Sequence, residues 1–243
     1  FGLFRAWDGI RGIDYLLTRA EVDPDRIGCC GQSGGGTLTQ FLAALDSRIH
    51  AAVVSMGNTE NLAQGDLEPP GSADDAEQNI VPALARGIDR ADLLYAFAPK
   101  PLLIGITLHD AGHTYSPEYV SDSLDLLNEY TRAYELLGAV GRVVLQATTV
   151  SHGYVYEMRR ATYAWFNRWF DMKNADDDET SQAVETEATL YVTANGFVTT
   201  SLGGETALSL TRQLANQIHT PSTLSVDDVR SRVRSVFGIE EAQ

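Results

Sequence analysis

The stretch Arg26-Ile27-Gly28-Cys29-Cys30-Gly31-Gln32-Ser33-Gly34-Gly35-Gly36-Thr37 constrains this chain more than any other part of it. It holds a G-x-S-x-G pentapeptide, Gly31 to Gly35, between a short apolar run and a helix-compatible run. In that strand–turn–helix setting the pentapeptide reads as a nucleophile elbow, a turn so sharp that the serine hydroxyl stands clear of the sheet. A side chain at either flanking glycine, Gly31 or Gly35, is expected to collide with the neighbouring strand or helix. The plainer alternative is a glycine-rich turn with an incidental serine.

A serine hydroxyl is a weak nucleophile at neutral pH and needs a base, which in turn needs an orienting acid. Apolar runs predict strands over residues 27–30, 51–55, 102–107 and 142–147. His109-Asp110-Ala111-Gly112 follows the third run, and Ser151-His152-Gly153-Tyr154 follows the fourth. An acid and a base past the ends of later strands, in the order serine, acid, histidine, suit a serine hydrolase. Ser33, Asp110 and His152 are therefore the candidate triad. Asp110 is preferred to Glu118, Asp122 and Asp125, because Pro117 opens a helix that carries those three away from the strand end. His50 precedes a strand and so sits at the opposite end of the sheet. His219 lies far downstream. His109 and His113 have helical metal-ligand spacing, but Gly112 in a loop between them argues against a helix and hence against a metal site. The backbone N–H of Gly34 is the expected oxyanion donor, and Gly31, Gln32 and Gly35 complete the elbow.

Three segments carry a family resemblance. Val22-Asp23-Pro24-Asp25-Arg26-Ile27-Gly28 with the elbow after it resembles acetyl xylan esterases, dienelactone-hydrolase-like proteins and prolyl-oligopeptidase-type hydrolases. Ala98-Pro99-Lys100-Pro101-Leu102-Leu103-Ile104 is similar to the run those families carry into the acid-bearing strand. Ser151-His152-Gly153, with Trp165-Phe166-Asn167-Arg168-Trp169-Phe170, resembles their terminal histidine and closing helix. The likeness covers residues 1–172 and is greatest to acetyl-xylan-esterase-like carbohydrate esterases. It implies an α/β-hydrolase fold, a doubly wound and mostly parallel sheet. It also implies a serine esterase that needs no cofactor and works through an acyl-enzyme, deacetylating a carbohydrate or similar small acyl ester. The loop His-Asp-Ala-Gly-His-Thr-Tyr-Ser-Pro departs from the families' commoner G-x-x-D-x-x-x-P form. A prolyl-oligopeptidase-type peptidase is the alternative enzyme, and a non-catalytic fragment the alternative of another class.

Members of this superfamily have several strands before the elbow, whereas this chain opens with Trp7, Ile10, Ile13, Leu16 and Leu17 at helical spacing. The expectation is that the N-terminal strands are missing, that residues 1–172 are the C-terminal part of a catalytic domain, and that the elbow strand has an open apolar edge. Residues 58–98 are expected to shape the substrate site, with Leu84, Ile88, Leu93 and Leu94 as the core of a helix there and Tyr115 packing nearby.

Residues 173–188 read as an acidic linker around Asp176-Asp177-Asp178-Glu179. Residues 189–243 read as a β-hairpin turning at Asn195-Gly196 plus two helices, the second capped by Ser225 and Asp228. They form an appendage or the start of a further domain of the same polypeptide. With 33 acidic and 18 basic residues the net charge is −15. That excludes nucleic acid and anionic membrane as partners and leaves a neutral small-molecule or carbohydrate ester as substrate. Cys29 and Cys30, adjacent on a strand, point to opposite faces and read as unbonded buried thiols. Localisation stays open, leaning towards secreted or periplasmic.

Overall fold

The computed structural model describes residues 2–61, 78–80, 83–110, 115, 118–173, 175–218 and 224–237. They divide into two compact units, Phe1–Thr180 and Ser181–Gln243. The first unit runs α1 (Gly2–Leu16), β1 (Gly28–Gln32), α2 (Gly34–Leu45), β2 (Ala51–Ser55), α3 (Arg90–Phe97), β3 (Leu102–Thr107), α4 (Tyr119–Leu136), β4 (Val143–Thr148) and α5 (Tyr156–Trp169).

The four strands form one parallel sheet in the order β1-β2-β3-β4. Parallel neighbours cannot be joined by a tight turn, so each strand hands over to the next through a helix-bearing crossover. Alternation along the strands then decides the layers. Ala52, Val54, Leu102, Ile104 and Ile106 face a large core with buried residues of α1, α2, α3 and α4. Val53 and Leu103 face the other way, against Trp165 of α5 with Phe166 and Trp169 beside it. β2 and β3 are buried throughout, as expected of continuous apolar strands covered on both faces. β1 lies at the edge and is only partly buried.

The helices follow their apolar stripes. On α4, Tyr119, Ser123, Leu126, Tyr130 and Tyr134 recur at three- and four-residue spacing and are buried. On α1, Ala6 and Ile13 are buried, while Trp7 stays 58% exposed. A helix between β2 and β3 does form, around part of its expected core: Leu94 is fully buried and Leu93 half-buried. Leu84 and Ile88 are exposed, because Gly87 takes a left-handed turn (φ 74°) and separates a single 3-10 turn from α3. Phe97 of α3 is buried beside Leu94, with Asp89 and Asp92 forming a capping box at the start of the helix.

Three further expectations change. Neither cysteine is fully buried: Cys29 is half-buried with its thiol against Thr39 Oγ1 (3.5 Å), and Cys30 is exposed. Both are free, and among the described residues their strand has no neighbour on one side. The acidic run is not simply solvated. Arg159 pairs with Glu179 (Nη2–Oε2 2.9 Å), Tyr163 donates to the same carboxylate (2.9 Å), Tyr156 donates to Asp178 and Asn167 to Asp177 (2.7 Å). These donors share one side of α5, which gives the carboxylates a place to fold back. Finally, the 189–202 segment is not a hairpin. It forms α6 (Glu187–Leu190) and α7 (Val198–Leu202) around a turn in which Gly196 has φ 74°. Asn195 Oδ1 accepts the Phe197 N–H (3.0 Å) and the Ser201 hydroxyl (2.5 Å), so local side-chain bonds cap a helix where a ladder was expected. An isolated two-stranded hairpin is marginal without a third strand or a covering helix.

The second unit continues with α8 (Ala207–Gln217), started by a Thr206–Ser209 capping box, and α9 (Val226–Phe237), started by Ser225 and Asp228. None of its described residues is buried. Among the described residues no helix is long and apolar enough to cross a membrane.

Candidate active site

In a parallel sheet all strand ends of one kind lie on the same edge, and loops at the C-terminal edge gather there. Ser33, Met56, Asp110 and His152 each follow a strand on that edge.

Ser33 follows β1 directly, with φ 57° and ψ −122°, a backbone conformation that costs a non-glycine residue roughly 1–3 kcal/mol. Its N–H donates to Ser55 O (2.9 Å) and its carbonyl accepts from Thr37 (3.0 Å), so strand and helix hold the turn from both sides. Gly31 is required: a Cβ there would sit 2.1 Å from Gly35 O. Gly35 is not required in the same way, since a Cβ there would meet nothing within 4 Å. The second close approach belongs to Gly36, where a Cβ would lie 2.6 Å from Ser55 O and 3.0 Å from Gly57. The elbow glycines therefore admit α2 to β1 through Gly31 and to the end of β2 through Gly36. Gly34 is the first residue of α2, and its N–H is one of the four that a helix start leaves without an intrahelical acceptor. Its carbonyl accepts from Arg5 of α1 (2.8 Å), which fixes that peptide from the other side.

Asp110 and His152 come together as a pair. His152 Nδ1 lies 2.7 Å from Asp110 Oδ2. The acid is 1% exposed, while the histidine side chain is 27% exposed. A buried carboxylate on Nδ1 fixes the imidazole tautomer and leaves Nε2 for the reacting groups. Among the described residues no hydrogen bond joins His152 to Ser33. Catalytic hydrogen bonds are often long before substrate arrives. The other histidines stand apart from this pair. His50 precedes β2, its N–H bonded to Ile27 O (2.8 Å) at the opposite edge, and His109 is an exposed loop residue. His113, His219, Ala111, Gly112, Pro117 and residues 62–77 lie outside the described residues. Among the described residues no cluster of three or more His, Cys, Asp or Glu side chains could hold a metal ion.

Sequence reasoning undervalued Tyr115. It is buried (2% exposed), its hydroxyl donates to Met56 O, and its ring meets His152 edge-on (centroids 5.7 Å, 65°). Burial, then the charges of Asp110 and Glu60, push its pKa well above the usual phenol value, against a hydrogen-bonding pull from Ser33. Met56 itself has φ 46° and is fully buried. It is tied down by Gly105 O on its N–H (2.7 Å) and by the Gln32 amide on its sulfur (3.1 Å). Gln32 also accepts from Ser55 Oγ (2.7 Å), so the residue before Ser33 clamps β1 to β2. Behind them lies a buried ion pair, Glu60 with Arg90 (3.0 Å), both about 7% exposed.

Comparison with known proteins agrees with this frame. Residues 11–67 match a family model described as BAAT / acyl-CoA thioester hydrolase C terminal. The chain is 28% identical over 168 residues to the putative hydrolase YtaP of Bacillus subtilis (strain 168), covering 67% of this chain and 52% of the relative. Among solved structures it resembles Methylesterase BT1017, with TM-score 0.65 and 24% identity over 96% of this chain and 48% of that one. It also resembles a carbohydrate esterase family 15 glucuronoyl esterase from Caldicellulosiruptor kristjansonii, with TM-score 0.54 and 16% identity over 74% and 53%. The chain thus spans about half the length of the proteins it matches. The parallel sheet, the strained serine turn and these likenesses together give residues 2–180 the fold of the α/β-hydrolase superfamily.

Proposed function

We propose that this chain carries the catalytic residues of a serine ester hydrolase, with Ser33 as nucleophile, His152 as base and Asp110 as its orienting acid. The observation that carries the reading is the buried Asp110–His152 pair on the same sheet edge as a serine held at positive φ. His152 takes the Ser33 proton as the oxygen attacks the ester carbonyl, and the imidazolium is stabilised by Asp110. The Gly34 N–H stabilises the oxyanion. His152 then protonates the leaving alcohol and activates water against the acyl-enzyme. A carbohydrate ester is the substrate class, with an acetyl group first. The methylesterase and glucuronoyl esterase names of the structural neighbours widen the choice to esters of sugar acids. A thioester is the second reading, favoured by the family model over residues 11–67. A net charge of −15 works against it, because coenzyme A thioesters are polyanionic.

The test is turnover by the full-length protein of p-nitrophenyl acetate, acetylated xylan, methyl and glucuronoyl esters and acetyl-CoA, with a fluorophosphonate probe to label the nucleophile. Ester turnover and labelling at Ser33, both lost on Ser33→Ala, are expected. Ester turnover that survives Ser33→Ala, or thioester turnover with inert oxygen esters, overturns the reading.

A further inference from the structure

We propose that Tyr115 is the positioning residue that holds base and acid in register with the nucleophile's turn, because this one side chain and its own peptide meet Asp110, His152 and the Met56 carbonyl. This role rests on the triad reading above. The Tyr115 N–H donates to the carbonyl of Asp110 (3.4 Å), closing the loop that presents the acid. Its ring edge lies against His152, centroids 5.7 Å apart, and its back stacks on Tyr119 at 4.4 Å and 28°. Its phenol donates to the carbonyl of Met56, whose sulfur takes the amide of Gln32, the neighbour of Ser33.

The chemistry of a phenol makes this arrangement directional. A tyrosine has one proton to give, and it goes to Met56 O. Burial keeps the phenol protonated through the neutral range, so the donor to Met56 is always present. Met56 is a firm anchor: its N–H is bonded to Gly105 and its sulfur to Gln32, the residue before the nucleophile. The acid loop is thus connected through Tyr115 and Met56 to the elbow. A displacement of about 1 Å between reacting groups costs up to about 100-fold in rate.

Tyr115→Phe keeps the ring against His152 and Tyr119 and removes only the hydroxyl. The expected result is a kcat about 10- to 100-fold lower per fluorophosphonate-titrated site, with KM for p-nitrophenyl acetate within twofold. Titrating active sites removes unfolded protein from the count. Tyr119→Phe is the control: it deletes another buried hydroxyl from the same stack, one with no hydrogen-bond partner among the described residues, and should leave kcat unchanged. Wild-type kcat in Tyr115→Phe, a change confined to KM, or an equal loss in Tyr119→Phe overturns the role of Tyr115 alone. A full-length wild type that is neither labelled at Ser33 nor active on any ester overturns the triad reading, and the role of Tyr115 with it.

Discussion

The two units of this chain are both rich in helix, yet only the first buries its side chains. In Phe1–Thr180 every element has a partner: β2 and β3 are enclosed, and α4 buries five residues of one stripe. In Ser181–Gln243, α8 and α9 have apolar stripes as regular as those of the first unit. Leu208, Leu214, Val226, Val229, Val233 and Phe237 nevertheless all remain exposed. Helical periodicity selects which face can be buried, but burial itself needs a second surface. The difference predicts where single changes are costly.

The largest effect belongs to the acid. Asp110→Asn keeps the side-chain shape but favours the wrong imidazole tautomer, and kcat on an aryl acetate should fall about 10⁴-fold in the full-length protein. Glu205→Gln, in the second unit, should leave kcat within twofold. Comparable losses from both would erase the functional contrast between the units.

Ion pairs sharpen the contrast. Arg90→Met removes the guanidinium beside the buried Glu60 carboxylate and should cost about 3–5 kcal/mol in denaturant unfolding, much of it recovered in the Glu60→Leu/Arg90→Met double variant. Arg230→Met breaks the exposed Arg230–Asp227 pair (3.2 Å) and should cost at most about 0.5 kcal/mol. A third pair of variants isolates packing. Leu94→Ala, at a fully buried position, should cost about 2–5 kcal/mol, whereas Leu190→Ala, 66% exposed, should stay within about 0.5 kcal/mol. Equal costs would mean that α6 is buried in solution.

Within the elbow, Gly31→Ala drives a Cβ into the Gly35 carbonyl and should destabilise by roughly 1–3 kcal/mol, with loss of Ser33 labelling. Gly35→Ala should be tolerated, and a loss of labelling there would show that α2 sits closer to its neighbours than described.

The smallest effect is at the end of the first unit. The Arg159 guanidinium, then Tyr163, lowers the Glu179 carboxyl to about 2. Its contribution is fully present above the ordinary glutamate value near 4.5 and is lost as pH falls through about 2. Carboxyl-resolved NMR titration should show this, and Arg159→Leu should bring the Glu179 midpoint back towards 4.5. An unchanged midpoint would return the acidic run to a solvated linker.

Several features were legible in the sequence because they are local. Strands β2 and β3 have the limits that their apolar runs predict, since turn residues bound each run. The order Ser33, Asp110, His152 could be read because each follows a strand, and parallel strands place such residues on one edge. The hairpin expectation failed at Asn195-Gly196 because the turn is local, whereas the ladder needs strands with something to lie on. Leu84 and Ile88 were placed in a core because periodicity is blind to the left-handed turn at Gly87. The family glycine pattern favoured Gly35, while the close approach is at Gly36, set by the position of Ser55 and Gly57.

The sequence by itself determined the elbow, the parallel strands and the identity of the acid and base candidates, because short-range sterics and alternation leave few other outcomes. Only the tertiary structure decided that Asp110 is buried against His152, that Glu60 meets Arg90, and that Tyr115 reaches Met56. Those contacts join residues 30 to 59 positions apart. Their geometry depends on how helices pack across a sheet, which no window of sequence contains.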